Sequence, residues 1–160
     1  MSATQLFSTI NYITSILKVA ESKGVHLEIG NDFTTFCNFS KIQPQKGHAA
    51  PFFDPEFSSV SPANGFWVKG VNDKDEIIHT QAARLIDLSG ITLSDHLRQY
   101  LKDYRPHGDK VDSKKSSCYL SPASSKITGK LCYHGELWLK SGRNNLGGSL
   151  TAALTRLGPA

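Results

Sequence analysis

Two neighbouring stretches of the sequence contain residues whose types and spacing could do chemistry. In the first, His134 and Glu136 stand two apart within Tyr133-His134-Gly135-Glu136-Leu137-Trp138-Leu139. On an extended strand, residues i and i+2 project from one face, so this spacing sets an imidazole beside a carboxylate. Such a pair can act as a general base, taking a proton directly or through water. A packed histidine and an edge-facing glutamate are the purely structural alternative. The second stretch follows at once: Lys140-Ser141-Gly142-Arg143-Asn144-Asn145-Leu146-Gly147-Gly148-Ser149. A glycine- and asparagine-rich turn leading into a helix presents backbone N–H groups that have no intrahelical partner, at the positive end of the helix dipole. Gly147 and Gly148 let the backbone close on a phosphate without a Cβ in the way, and Arg143 and Lys140 add positive charge. Together these describe a diphosphate cradle. The nucleotide-binding spacings Gly-x-x-x-x-Gly-Lys-Ser/Thr and Gly-x-Gly-x-x-Gly are both absent. His79 and Arg84, further upstream, are secondary candidates for substrate contact, an ion pair being the ordinary role of such an arginine.

The elements that must position these groups can be read from periodicity. Leu6, Ile10, Ile13, Leu17 and Ala20 recur at helical steps, which predicts an N-terminal helix with that face inward. Ser2 or Thr4 can cap its start, and Gly24 suits a left-handed residue after its end. Val25–Ile29 alternates as a short strand, and a helix starting at Asn31 or Asp32 carries Phe33, Phe36, Cys37 and Phe39 as core. Four prolines between residues 43 and 64 argue against regular structure there, while Phe52, Phe53 and Phe57 should anchor that loop. Phe66–Val71 and Glu76–Ile86 flank the polar turn Asn72-Asp73-Lys74-Asp75 and predict an antiparallel hairpin. Thr92 or Ser94 can cap a helix bearing Leu97, Tyr100, Leu101 and Tyr104. Residues 103–125 form a polar excursion. Ile127–Leu139 is then a strand, and after the glycine-rich turn comes a helix with Leu150, Ala153, Leu154 and Leu157 on one face.

Composition bounds the function classes. At 160 residues and 39% hydrophobic content the chain fits one domain, and its longest apolar runs are too short to span a membrane. No Lys or Arg precedes Lys18, so the basic region of a secretory or mitochondrial leader is missing and a cytoplasmic protein is expected. The net charge of +4 is uneven: residues 1–101 hold 8 Lys/Arg against 10 Asp/Glu, and residues 102–160 hold 10 against 4. Attraction to an anionic partner should therefore come from the C-terminal third. Cys37, Cys118 and Cys132 are far apart, and no Cys-x-x-Cys or His-x-x-x-His spacing exists, so neither a metal site nor a disulfide framework is expected. Only Tyr104 and Tyr119 interleave the basic 102–130 stretch, too few for a nucleic-acid stacking platform.

The run Gly135-Glu136-Leu137-Trp138-Leu139-Lys140-Ser141-Gly142-Arg143-Asn144-Asn145-Leu146-Gly147-Gly148-Ser149-Leu150 resembles the acyl-CoA-binding motif of the GNAT acyltransferase superfamily. That motif is a strand, then Arg/Gln-x-x-Gly-x-Gly/Ala, then a helix. Two registers are open. Arg143 first puts Leu146 at the middle glycine and Gly148 last; Asn144 first puts Gly147 in the middle and Ser149 last. The resemblance covers residues 60–157 and also rests on Phe66–Val71 with His79–Arg84. It implies an α+β (α/β) fold: a mixed, mainly antiparallel sheet with flanking helices, formed by residues 1–160 as one domain. It implies transfer of an acyl group from acetyl-CoA or another acyl-CoA to a small amine or hydroxyl acceptor. The amides of residues 145–149, including Asn145, would hold the diphosphate, with Arg143 assisting. A main-chain N–H near Leu139 would polarise the thioester carbonyl, and Glu136 or His134 would supply the base. Complete members continue past the motif helix with further strands. The resemblance therefore implies an incomplete sheet with an open edge that invites self-association. A GNAT-like module that binds a ligand or partner without catalysis is the competing expectation.

Overall fold

The computed structural model describes residues 2–41, 48–103, 117, 119–140, 152 and 154, with the side chains of 101–103 excepted. Helix α1 (Ala3–Glu21) opens on a capping box: Ser2 Oγ accepts from Gln5 N–H, and Gln5 Oε1 accepts from Ser2 N–H. Gly24, at φ +67°, turns the chain into strand β1 (Val25–Gly30). Asp32 then accepts from Thr34 N–H and Thr35 Oγ–H and starts helix α2 (Phe33–Lys41). A 3-10 turn at Pro51–Phe53 interrupts the irregular stretch before strands β2 (Gly65–Asn72) and β3 (Ile77–Leu88). Thr92 caps helix α3 (Leu93–Asp103), its Oγ accepting from Asp95 N–H while Asp95 accepts back from Thr92 Oγ–H. A second 3-10 turn, Pro122–Lys126, precedes strand β4 (Gly129–Leu139).

The four strands form one antiparallel sheet in the order β1-β2-β3-β4. The fold is therefore mixed α+β, as expected. Each face of the sheet buries its own core. On one face, Phe33, Phe36, Phe39, Phe53 and Trp67 pack with Val60 and Ala82, and Trp67 Nε1–H donates to the Asp32 carbonyl at 2.9 Å. On the other, Ile16 and Ala20 of α1 pack with Val25, Val68 and Ile78, and Leu154 joins them. Trp67 and Val68 are adjacent on β2, so strand alternation separates the two cores.

The buried face of α1 keeps Ala20 of the predicted stripe and departs from it at Leu6, Ile10 and Leu17. Ile16 and Ala20 are buried, whereas Leu6 is 51%, Ile10 50% and Leu17 39% exposed. Ile13 is half-buried. The helix is turned so that its second half, through Ile16, Val19 and Ala20, meets the sheet. The turn's middle at Arg143–Ser149 and the helix positions Leu150, Ala153 and Leu157 lie outside the described residues. Ala152 and Leu154 are helical.

Candidate functional site

Strand β3 lies between β2 and β4 and is buried along most of its length, including the polar residues His79, Thr80, Gln81 and Arg84. Burying polar groups on a central strand is costly unless they are bonded, so their partners show what the strand is built to hold. His79 and Gln81 pair across β2 with Gly70 and Val68, which places both on the α1 face. Gly70 makes room for His79: a Cβ there would lie 3.1 Å from the His79 Cβ and from Val25. The Trp138 carbonyl accepts from His79 Nδ1–H at 3.0 Å, and this fixes the tautomer that leaves Nε2 as an acceptor. Nε2 is buried with no hydrogen-bond partner among the described residues. Burial, reinforced by the neighbouring His134 and opposed by the bond to Trp138, lowers the His79 pKa to about 4. The ring is therefore neutral at pH 7.

His134, paired with Ala83, projects from the same face. Its Nε2 lies 3.0 Å from Gln81 Oε1, and burial lowers its pKa. The Gln81 amide nitrogen is buried and without a partner among the described residues. His79, Gln81 and His134 thus form a polar row on the α1 face, with a lone pair at one end and an unused amide donor beside it. Such a row can orient a polar ligand through one acceptor and one donor.

Glu136 does not join it. The β3–β4 register shifts between Thr80 and Ala82, and Glu136 takes the bulge with φ +57°. A bulge reverses the alternation of side chains beyond it. The Glu136 carboxylate accepts instead from Ala50 N–H at 2.7 Å, beside the aromatic core, while its carbonyl accepts from Thr80 Oγ–H. The expected His134–Glu136 pair is therefore split between two faces, because strand parity presumed an unbroken ladder. Leu139 sits opposite His79 in the register, and Lys140 N–H donates to the Ile78 carbonyl just beyond it. The other expected ligand residues, Arg143, Asn144, Asn145, Gly147, Gly148 and Ser149, lie outside the described residues. Arg84 makes no ion pair among the described residues; its two bonds go to the Phe52 carbonyl and Ser59 Oγ.

Gln81 was not singled out by sequence reasoning. Its signal was its place in His79-Thr80-Gln81-Ala82-Ala83, where an amide two residues from a histidine falls inside an otherwise buried strand. Among the described residues, no group of three or more His, Cys, Asp or Glu is arranged to hold a metal ion, and no helix is long and apolar enough to cross a membrane. Comparison with family models, with curated proteins and with solved structures finds no match to this chain.

Proposed function

We propose that the chain is an acyltransferase-like protein of the GNAT type, which takes an acyl group from acyl-CoA and delivers it to an amine or hydroxyl acceptor. The observation that carries this reading is where β4 ends and where Leu154 lies. The strand ends at Leu139 beside His79, and Leu154, in helical conformation and 1% exposed, is buried on the α1 face. The sequence between them supplies the glycines and the basic residue that an anion-binding turn uses. In this reading the amides of 145–149 hold the diphosphate and Arg143 lends charge. An N–H near Leu139 polarises the thioester carbonyl. The acceptor nucleophile attacks that carbonyl, the carbon–sulfur bond breaks, and the thiol of coenzyme A leaves. His134 remains the base candidate, since Glu136 is turned to the opposite face.

Calorimetric titration with coenzyme A tests this reading on the wild-type chain and on the Gly147→Asp/Gly148→Asp variant. Saturable binding that drops at least tenfold in the variant is expected. Equal affinity in the two proteins would remove the cradle. A specific observation favours a second reading, a module that binds acyl-CoA without turning it over. Both base candidates already make bonds within the fold, His134 to Gln81 and Glu136 to Ala50. Binding of coenzyme A without acyl transfer to a panel of amines and alcohols would select that second reading.

A further inference from the structure

On the aromatic face of the sheet, away from Leu154, a cavity of about 290 Å³ opens between the 51–59 loop, β3 and α3. Its charged group is Arg84, which is only 6% exposed. The β3 register sets Arg84 between Gly65 and Tyr133. Nη1–H donates to the Phe52 carbonyl at 2.7 Å and Nη2–H to Ser59 Oγ at 3.2 Å. Nε, also buried, has no partner among the described residues. The positive charge is thus met by two neutral oxygens. A buried guanidinium held this way is costly for the fold alone, because neutral acceptors recover only part of its lost hydration.

The surroundings specify the chemistry of what could complete it. Tyr100 stacks on Phe52 with centroids 4.0 Å apart and an interplanar angle of 16°, which makes one flat aromatic wall. His96 also lines the cavity; burial, and secondarily the charge of Arg84, lower its pKa, so it brings no second positive charge at pH 7. One cation is suited to one negative charge, and a guanidinium with N–H groups to spare matches a planar carboxylate. A volume near 290 Å³ lies at the small end of ligand sites. We propose that this cavity binds a small organic carboxylate, its oxygens on the Arg84 guanidinium and its apolar part against the Phe52–Tyr100 wall. The site is on the opposite face from the acyl-CoA reading and does not depend on it.

The test uses the full chain with benzoate, its neutral isostere benzamide, and inorganic phosphate as probes, read by calorimetry and thermal unfolding. Benzoate should bind saturably and raise Tm, and benzamide should bind at least tenfold more weakly. Phosphate should give no saturable binding over the same concentrations. Benzoate, and not benzamide, should shift the His96 imidazole resonances. Arg84→Gln should abolish binding. Because that variant removes a buried anchor of the 51–59 loop, the exposed rim substitution Gln99→Glu provides an independent arm. It places a fixed carboxylate at the mouth and should weaken benzoate at least fivefold. Benzamide binding as well as benzoate, phosphate binding in place of benzoate, unchanged affinity in Gln99→Glu, or no binding of benzoate would each overturn the proposal.

Discussion

His79 is held in its neutral form by burial, and its protonation is therefore coupled to folding. The unfolded chain takes up a proton near the ordinary pKa of 6.5, whereas the folded chain resists it down to about 4. Stability is thus full above pH 6.5 and falls as pH drops from 6.5 towards 4. At about 1.4 kcal/mol per unit the loss approaches about 3 kcal/mol. His134, also lowered by burial, adds to the loss in the same direction. The substitution His79→Gln keeps a donor for the Trp138 carbonyl and removes the titration. Urea unfolding at pH 7.5 and pH 5 should show a smaller pH-dependent loss in this variant than in the wild type. Glu136 poses a different question, since its carboxylate serves as an acceptor for Ala50 N–H. Glu136→Gln keeps that acceptor and should unfold within about 1 kcal/mol of wild type, while Glu136→Ala leaves the amide unsatisfied and should cost about 1–3 kcal/mol. A stable Glu136→Gln variant with unchanged acyl transfer would confine Glu136 to a structural role.

Strand β4 and helix α1 each show an element reset by its neighbours. In β4, a Cβ on Gly135 would lie 2.8 Å from the buried Phe53 ring. Gly135→Ala should therefore cost about 1–3 kcal/mol through overpacking, as measured by denaturant midpoint. The glycine allows β4 to approach the aromatic core immediately before the Glu136 bulge, so close packing and altered alternation occur together. In α1, the repeating apolar positions named one face, but the sheet contacts Ile16, Val19 and Ala20. Leu6→Ser and Ile10→Ser, at half-exposed positions, should change stability by less than about 0.5 kcal/mol, whereas Ile16→Ala should cost about 2–4 kcal/mol. The helix has apolar residues on more than one side, and periodicity named a side that packing did not wholly adopt.

At the scale of the molecule, the described residues form one sheet with a separate core on each face, and the two candidate sites follow that division. The His79–Gln81–His134 row belongs to the α1 face, and the Arg84 cavity to the aromatic face. Leu154 ties the C-terminal side of the chain to the α1-face core. Leu154→Ala should cost about 2–4 kcal/mol and increase proteolytic cleavage after β4. Local patterns of residues were enough to specify helices α1 to α3, the hairpin and the aromatic core on α2, and to narrow the caps to Ser2 or Thr4 and to Thr92 or Ser94, because each depends on near neighbours and side-chain period. The same residues named His134, Glu136, His79 and Arg84 as chemically notable. Their grouping required the assembled sheet. The bulge at Glu136 arises from pairing between strands about fifty residues apart, and it turns one carboxylate to the other face. The bonds of Arg84 and the cavity beside it arise from a loop and a helix distant in sequence. Strand parity and spacing describe a chain with its neighbours in sequence, while register, bulges and burial are set by long-range contact.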